Sequence, residues 1–136
     1  MIKYCKVCGK RLILLGVGSR DVFCSKECLV KYFKTADRGL IPQGIPLEPH
    51  FTFRSKWEEA FAQFCTQSGL RWRYEPYAYK LVNGKYYIPD FLVEGKFVEI
   101  KGVWEAGSKR KVRLFEKDYA KVLVLTKPLL KYIGVL

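Results

Sequence analysis

Apolar residues after position 52 recur first at helix spacing and then at strand spacing. Between Phe53 and Cys65 they fall three and four positions apart, which predicts an amphipathic helix with Ser55 as its N-cap and an end near Ser68. Strands are predicted over residues 71–75, 77–82, 85–93 and 96–101. Tight turns are predicted at residues 83–84 and 94–95. A basic helix over 108–119, a strand over 121–126 and a short helix over 128–133 follow. This order predicts a mixed α/β core with antiparallel hairpins and one crossover helix.

The segment before this core lacks sustained periodicity. Residues 35–52 contain three prolines and several turn-forming residues, which predicts a linker. The linker separates a cysteine-bearing segment, residues 1–34, from the predicted core, residues 53–136. We therefore expect a small N-terminal module joined to one compact α/β unit.

Four of the five cysteines form two pairs at metal-ligand spacing. Cys5 and Cys8 are separated by two residues, and Cys24 and Cys28 by three. Two such thiolate pairs predict a four-cysteine zinc site, which is structural because four protein ligands leave no open position for water. Two disulfides are the alternative interpretation. Cys65 lies on the apolar stripe of the first core helix and is expected to fill the core.

The net charge and the first residues of the chain indicate the kind of partner and the compartment of the protein. The net charge is +12, shared between the cysteine segment and the core, which favours a polyanionic partner such as DNA. No run of residues approaches the about 20 apolar positions of a membrane-spanning helix, so no membrane partner is expected. The N-terminus lacks the apolar stretch of a signal peptide, so we expect a cytoplasmic protein in a reducing compartment, where zinc is favoured over disulfides.

Two acids and a lysine on adjacent predicted strands carry the candidate chemistry. Glu99 and Lys101 share one face of their strand because side chains alternate, and the short turn at residues 94–95 can bring Asp90 beside Glu99. Neighbouring carboxylates are typical ligands of Mg2+ or Mn2+, and such an ion activates water and neutralises phosphate charge. Lys101 is then placed to orient the water or to stabilise the transition state. A plain salt-bridge cluster is the alternative.

These residues resemble the PD-(D/E)XK nuclease superfamily, whose motif reads here as Pro89-Asp90 and Glu99-x-Lys101. The resemblance covers residues 52–136 and implies a restriction-endonuclease-like fold that cuts nucleic acid with a divalent metal. It also implies a further acid on the first core helix.

Glu58 and Glu59 are the two candidates for that helical acid. We select Glu58 because it borders the apolar stripe, whereas Glu59 points away from it. Glu58 also completes a Ser-x-x-Glu capping box with Ser55, and both roles are compatible. Glu75 is a weaker candidate.

Two further stretches resemble phage nucleases. The Cys-x-x-Cys-Gly-Lys and Phe-Cys-Ser patterns resemble treble-clef-like fingers that often accompany phage endonuclease domains. Residues 102–105 and the basic residues after them are similar to small phage resolving and homing-type nucleases. The candidate DNA-contacting residues are Lys10, Arg11, Lys109, Arg110, Lys111 and Arg113. A solvated basic surface is the alternative for each of them.

The sequence therefore favours a Mg2+-dependent DNA endonuclease, site-directed or homing-like, inside a bacterial host cell if phage-encoded. A junction-resolving nuclease, an RNA substrate and a non-catalytic zinc-dependent nucleic-acid-binding protein remain alternatives. A homodimer is expected if both strands of a duplex are cut. His50 has no second histidine to pair with, which excludes a His-metal nuclease of the HNH type. The aromatic residues near the hairpin, including Tyr86 and Tyr87, are expected to pack across strands rather than to contact nucleic acid.

Overall fold

A computed structural model describes residues 2–13, 20–36, 39–102 and 106–136 of the chain. The strands in these ranges are β1 (Ile2–Tyr4), β2 (Arg11–Ile13), β3 (Ile45–Pro46), β4 (Trp72–Tyr74), β5 (Tyr77–Lys80), β6 (Tyr86–Tyr87), β7 (Phe91–Val93), β8 (Lys96–Lys101) and β9 (Val122–Thr126). The helices are α1 (Lys26–Thr35), α2 (Lys56–Gln67), α3 (Ala106–Asp118) and α4 (Lys127–Tyr132). No helix in this part of the chain is long and apolar enough to cross a membrane.

The main sheet has the strand order β4-β7-β8-β9. Its first three strands are antiparallel, whereas β8 and β9 are parallel and are connected through α3. The predicted mixed α/β architecture with one crossover helix is therefore confirmed. A hairpin of β1 and β2 and a three-stranded sheet in the order β3-β5-β6 complete the strand pairing of the described residues.

Helix α2 begins where its sequence predicts. The Ser55 hydroxyl accepts a hydrogen bond of 3.2 Å from the backbone N–H of Glu58 and satisfies one of the free donors of the first turn. The helix buries Phe61, Phe64 and Cys65 against the sheet, as their spacing predicts. The position of Glu58 is thus defined by a capped, well-packed helix.

The predicted strand over residues 85–93 is divided in two. Residues of β6 pair with β5, whereas those of β7 pair with β4 and β8. The division falls at residues 88–90, where Pro89 has no N–H to donate to a strand ladder. Asp90 therefore stands at the start of β7, directly beside the end of β6.

The predicted linker contributes to a sheet. Ile45 and Pro46 form β3, which pairs with Ala78 and Tyr77 of β5. This pairing joins residues more than 30 positions apart, and local sequence periodicity contains no information about such a partner.

The cysteine-bearing segment shares a hydrophobic core with the main sheet and α2. Phe23, Leu29 and Phe33 are fully buried in the same cluster as Phe61 and Phe91. The ring centroids of Phe33 and Phe61 lie 6.3 Å apart in an edge-to-face arrangement.

Charged contacts also connect the cysteine-bearing segment with α3 and β8. Arg20 forms two hydrogen bonds, of 2.8 and 2.9 Å, with the carboxylate of Glu116 on α3. Lys96 at the start of β8 donates a hydrogen bond of 3.0 Å to the carbonyl oxygen of Phe33.

Candidate active site and cysteine cluster

The four paired cysteines meet at the junction of the β1–β2 hairpin and α1. Gly9, with φ +75°, permits the tight turn after Cys8, and Ser25 caps the helix that carries Cys28. All four sulfur atoms lie within 4.8 Å of one another, with 3.6 Å between Cys8 and Cys24. Tetrahedral zinc with bonds of about 2.3 Å places its sulfur ligands about 3.8 Å apart. The cluster therefore has the donor atoms and the spacing for a structural zinc ion.

The pKa values of two thiols in this cluster are shifted in opposite directions. Burial raises the pKa of Cys5, but backbone hydrogen bonds from Cys8, Val7 and Cys24 outweigh it and lower the pKa to about 6. Burial and a hydrogen bond with Cys24 raise the pKa of Cys28 to about 12. A bound cation is what allows four adjacent thiolates to coexist.

The fifth cysteine lies apart from the cluster. Cys65 is fully buried on α2, and this burial raises its pKa to about 12. It fills the core, as its apolar neighbours in the sequence predict.

Asp90, Glu99 and Lys101 are brought together by the pairing of β7 with β8. The register places Phe91 opposite Val98, so Asp90 and Glu99 are next to each other at the end of the ladder. The Asp90 Oδ2 atom accepts a hydrogen bond of 2.8 Å from the backbone N–H of Ile100. The Asp90 side chain thus takes the place of a backbone acceptor where the ladder stops.

Glu99 is buried and has two partners. Its Oε1 atom accepts a hydrogen bond of 2.8 Å from the Tyr87 hydroxyl, and its Oε2 atom lies 3.0 Å from Lys101 Nζ. Burial and the Glu99 carboxylate raise the pKa of Tyr87 well above its usual value, so Tyr87 remains a donor. The sequence favoured cross-strand packing over nucleic-acid contact for Tyr87. Its position next to the β6–β7 break was the available clue, but its hydrogen-bond partner is 12 residues away.

The carboxylates of this site repel one another. Burial raises the pKa of Asp90 well above its usual value, and the charges of Glu99 and Glu58 raise it further. The backbone N–H of Ile100 and the charge of Lys101 act in the opposite direction but do not prevail. A cation would relieve this repulsion. Among the described residues, however, only the four cysteines form a group of three or more ligand atoms that all lie within 4.8 Å of one another, so at least one pair of the Asp90, Glu99 and Glu58 carboxylates lies farther apart than that.

Glu58 lies in the first turn of α2 and is buried, whereas Glu59 is exposed. One carboxylate oxygen of Glu58 accepts hydrogen bonds from the backbone N–H of Arg54 at 2.8 Å and from the Tyr74 hydroxyl at 3.2 Å. The capping box is therefore only half formed, because the Glu58 carboxylate reaches the N–H of Arg54 instead of that of Ser55.

Glu75 does not join these carboxylates through its side chain. It is buried and pairs with His50 at 2.9 Å and with Arg54 at 3.1 Å. We call Glu58, Asp90, Glu99 and Lys101 the acidic site, and Glu75, His50 and Arg54 the Glu75 cluster.

A basic cleft lies between the β5–β6 hairpin and α3, and Glu99 and Lys101 are the residues of the acidic site that line it. It has a volume of ≈ 670 Å³. Its lining residues are Asn83, Lys85, Tyr87, Glu99, Lys101, Gly107, Ser108, Arg110, Lys111 and Leu114. Four of these residues are basic and one is acidic, so the cleft suits a polyanion.

The candidate DNA-contacting residues are distributed unequally around this cleft. Arg110 and Lys111 line it, whereas Lys109 and Arg113 lie on the same helix outside its lining. Lys10 and Arg11 are exposed at the β1–β2 hairpin and do not line it.

Lys85 lines the cleft but was not among the predicted contacts. The Asn83-Gly84 turn before it predicted the hairpin but not what the hairpin faces. Of the stretch 102–105 that resembles phage nucleases, residues 103–105 lie outside the described residues.

Comparison with known proteins gives one informative match. No protein-family model and no solved structure matches the chain. The chain is 35% identical over 72 residues to a protein named Endonuclease I from Escherichia phage T7. The match covers 49% of this chain and 48% of that protein, so it spans about half the length of its relative. The chain is thus similar, over about half its length, to a phage endonuclease.

Proposed function

We propose that this protein is a divalent-metal-dependent DNA endonuclease of the PD-(D/E)XK type. The observation that carries the proposal is the meeting of Glu99 and Lys101, with Asp90 beside them, at the floor of a basic cleft. The similarity to Endonuclease I supports the same reaction class. The proposal includes a restriction-endonuclease-like core over residues 53–136, a linker over 35–52 and a zinc finger over 1–34.

In this proposal Asp90, Glu99 and Glu58 hold Mg2+ or Mn2+. These residues offer the hard oxygen donors that such ions prefer, and the mutual repulsion at Asp90 favours binding of a cation. When bound, the ion lowers the pKa of water and neutralises charge on the scissile phosphate. Because these three ligand atoms are not all within 4.8 Å of one another, a shared ion would need at least one of the three side chains to move.

The remaining residues act on water and phosphate. Lys101 Nζ, 3.0 Å from Glu99, orients the attacking water or stabilises the extra negative charge of the transition state. Tyr87 holds Glu99 by its hydroxyl hydrogen bond. Lys85, Arg110 and Lys111 bind backbone phosphates along the cleft.

The cysteine module has a structural role in this proposal. Zinc at the four cysteines orders the finger, and Lys10 and Arg11 contact DNA beyond the cleft. Two copies of the chain combine when both strands of a duplex are cut. The expected setting is the cytoplasm of a bacterial host cell.

The decisive experiment compares strand cleavage by wild type, Asp90→Asn, Lys101→Ala and Glu58→Gln, with Glu59→Gln as the matched exposed control. Substrates are supercoiled plasmid, a synthetic four-way junction and single-stranded RNA, each with Mg2+ or with no divalent cation added. We expect cleavage only with Mg2+, and a loss of roughly a hundred-fold or more in the first three variants but not in the control.

Each other outcome points to a different conclusion. Full activity of both Asp90→Asn and Lys101→Ala contradicts the assignment of the site. Binding of DNA by a wild-type protein that cuts none of the substrates favours the non-catalytic binding protein. The preferred substrate distinguishes site-directed cutting from junction resolution and from an RNA nuclease.

A further inference from the structure

The Glu75 cluster has the features of a prepared binding position rather than of a simple surface ion pair. Its carboxylate is buried, and a buried carboxylate is costly unless it is paired. Both oxygens are paired, Oε1 with His50 Nε2 at 2.9 Å and Oε2 with Arg54 Nε at 3.1 Å. Glu75 also has φ +45°, a left-handed conformation that is uncommon for a residue with a side chain. Such conformations persist where surrounding structure holds them, and they concentrate at functional sites.

This cluster is joined directly to the acidic site. The backbone N–H of Glu75 donates a hydrogen bond of 2.8 Å to the carbonyl oxygen of Asp90. The backbone N–H of Arg54 donates to Glu58 Oε1 at 2.8 Å and lies 3.3 Å from the Tyr74 hydroxyl. The main chain at Glu75 and Arg54 is therefore positioned by the residues proposed to hold the metal.

The side chain of Arg54 forms an ion pair with Glu75 through Nε, and its terminal nitrogens are open. Glu75 contacts Nε, while 70% of the Arg54 side chain is exposed. No described residue forms a hydrogen bond with either terminal nitrogen of Arg54. A guanidinium paired at Nε keeps its terminal nitrogens available as a planar pair of donors, the geometry that matches a phosphate group.

The Glu75 cluster and Lys101 lie on opposite sides of Asp90 in the main sheet. Glu75 follows β4, Asp90 precedes β7 and Glu99 lies on β8, in the spatial order β4-β7-β8. At about 4.8 Å per strand, Glu75 and Glu99 are separated by about 10 Å. Cations thus flank the acids on the β8 side through Lys101 and on the β4 side through Arg54.

We infer that Arg54, oriented by Glu75 together with His50, binds a backbone phosphate of the nucleic acid on the β4 side of the acidic site. This inference rests on the proposed nuclease function and adds a second phosphate contact to it. Arg54 is the binding residue, and Glu75 and His50 are positioning residues. A strand held at Arg54 and in the basic cleft has its intervening phosphate directed over the acids.

The test measures DNA affinity against salt concentration in an Asp90→Asn background, which prevents cleavage. The added variants are Arg54→Ala, Arg54→Lys and Glu75→Gln. Arg71→Ala is the matched control, because the Arg71 side chain is 76% exposed and pairs with Glu94 at 3.3 Å at the other end of β4. We expect Arg54→Ala to bind about ten-fold more weakly. We also expect it to reduce the slope of log K against log salt by about 0.9, the value for one lost phosphate contact.

The conservative variants separate charge from position. Arg54→Lys should keep the salt slope but lose part of the affinity, since a lysine cannot present the planar pair of donors. Glu75→Gln should weaken binding. Its melting temperature should stay above the temperature of the binding assay. Identical affinity and slope in Arg54→Ala and Arg71→Ala overturn the inference.

A second measurement does not depend on the variants' stability. Single phosphates near the scissile bond are replaced in turn by neutral methylphosphonates. At one position the replacement should weaken binding by the Asp90→Asn protein but not by the same protein with Arg54→Ala. If no phosphate position behaves in this way, the inference is overturned. Wild-type cleavage is assayed in parallel. A wild type that cuts DNA while Arg54→Ala shows no defect refutes only this inference, whereas a wild type that neither binds nor cuts refutes the proposed function as well.

Discussion

Removal of zinc should unfold the main sheet together with the cysteine module. The perturbation is chelation of the metal-loaded protein with EDTA, or the double substitution Cys24→Ser and Cys28→Ser. The reason is the shared core: Phe23, Leu29 and Phe33 are fully buried in the same cluster as residues of α2 and the main sheet. If the module loses its metal, these side chains no longer have a fixed position.

The structure sets the size of the effect. Burial of one Phe or Leu side chain contributes about 1.5–3 kcal/mol, so the three together contribute about 5–9 kcal/mol. The free energy of unfolding of a typical domain is about 5–15 kcal/mol. The contribution of the module is therefore comparable to the stability of the whole protein, and we expect the chelated protein to be largely unfolded at 37 °C.

Tryptophan fluorescence provides the assay. All three tryptophans, Trp57, Trp72 and Trp104, lie outside residues 1–34, so the midpoint of their thermal transition reports on unfolding of the remainder of the chain. We expect a single thermal transition in the zinc-loaded protein and a red-shifted emission after chelation, restored by added zinc. Cys65→Ala serves as a control that should keep its zinc. An unchanged tryptophan transition in the zinc-free protein would refute the shared-core reasoning and indicate that the remainder of the chain folds independently.

Two further predictions concern the acidic site. The pKa of Asp90 is raised in the folded protein by burial and by its carboxylate neighbours, so the zinc-loaded protein without Mg2+ loses stability as the pH rises from about 4, the pKa of an unfolded Asp, to that raised pKa, and the loss is constant above it. Asp90→Asn should therefore raise the melting temperature at pH 8 and have no effect below about pH 4, and a lower melting temperature at pH 8 would contradict the shift. At Gly102, a Cβ would lie 2.5 Å from Trp57 Cζ3, so Gly102→Ala should cost about 1–3 kcal/mol in unfolding experiments and impair cleavage. Gly107→Ala on α3, where nothing lies within 4 Å, is the control and should be neutral or slightly stabilising.

Most elements were predictable because their determinants are local. The caps at Ser25 and Ser55, the turns at residues 83–84 and 94–95 and the strand at residues 96–101 all follow from neighbouring residues in the sequence. The four-cysteine cluster was predictable for the same reason, since ligand spacing within each pair is a local property.

The contacts that were not predicted join distant parts of the chain. Three such features depend on a partner outside the local pattern. They are the hydrogen bond between Tyr87 and Glu99, the position of Lys85 in the basic cleft and the strand formed by residues 45–46. The Glu75 cluster is the clearest example, because Glu75 and His50 are 25 residues apart and the local sequence of neither residue indicates the other as its partner.

By itself, the sequence determined the type and order of most elements after residue 52, the pairing of the cysteines into a candidate zinc site and the residues proposed for catalysis. Hydrophobic periodicity, capping residues and ligand spacing specify these properties over a few neighbouring positions. Only the tertiary structure decided which charges face one another. It placed Asp90 within the repulsion of Glu99 and Glu58, opened the basic cleft above Lys101 and packed the cysteine module into the main core. The reason is physical: burial and Coulomb interactions depend on distance through space, which the chain acquires only when its sheet and helices assemble.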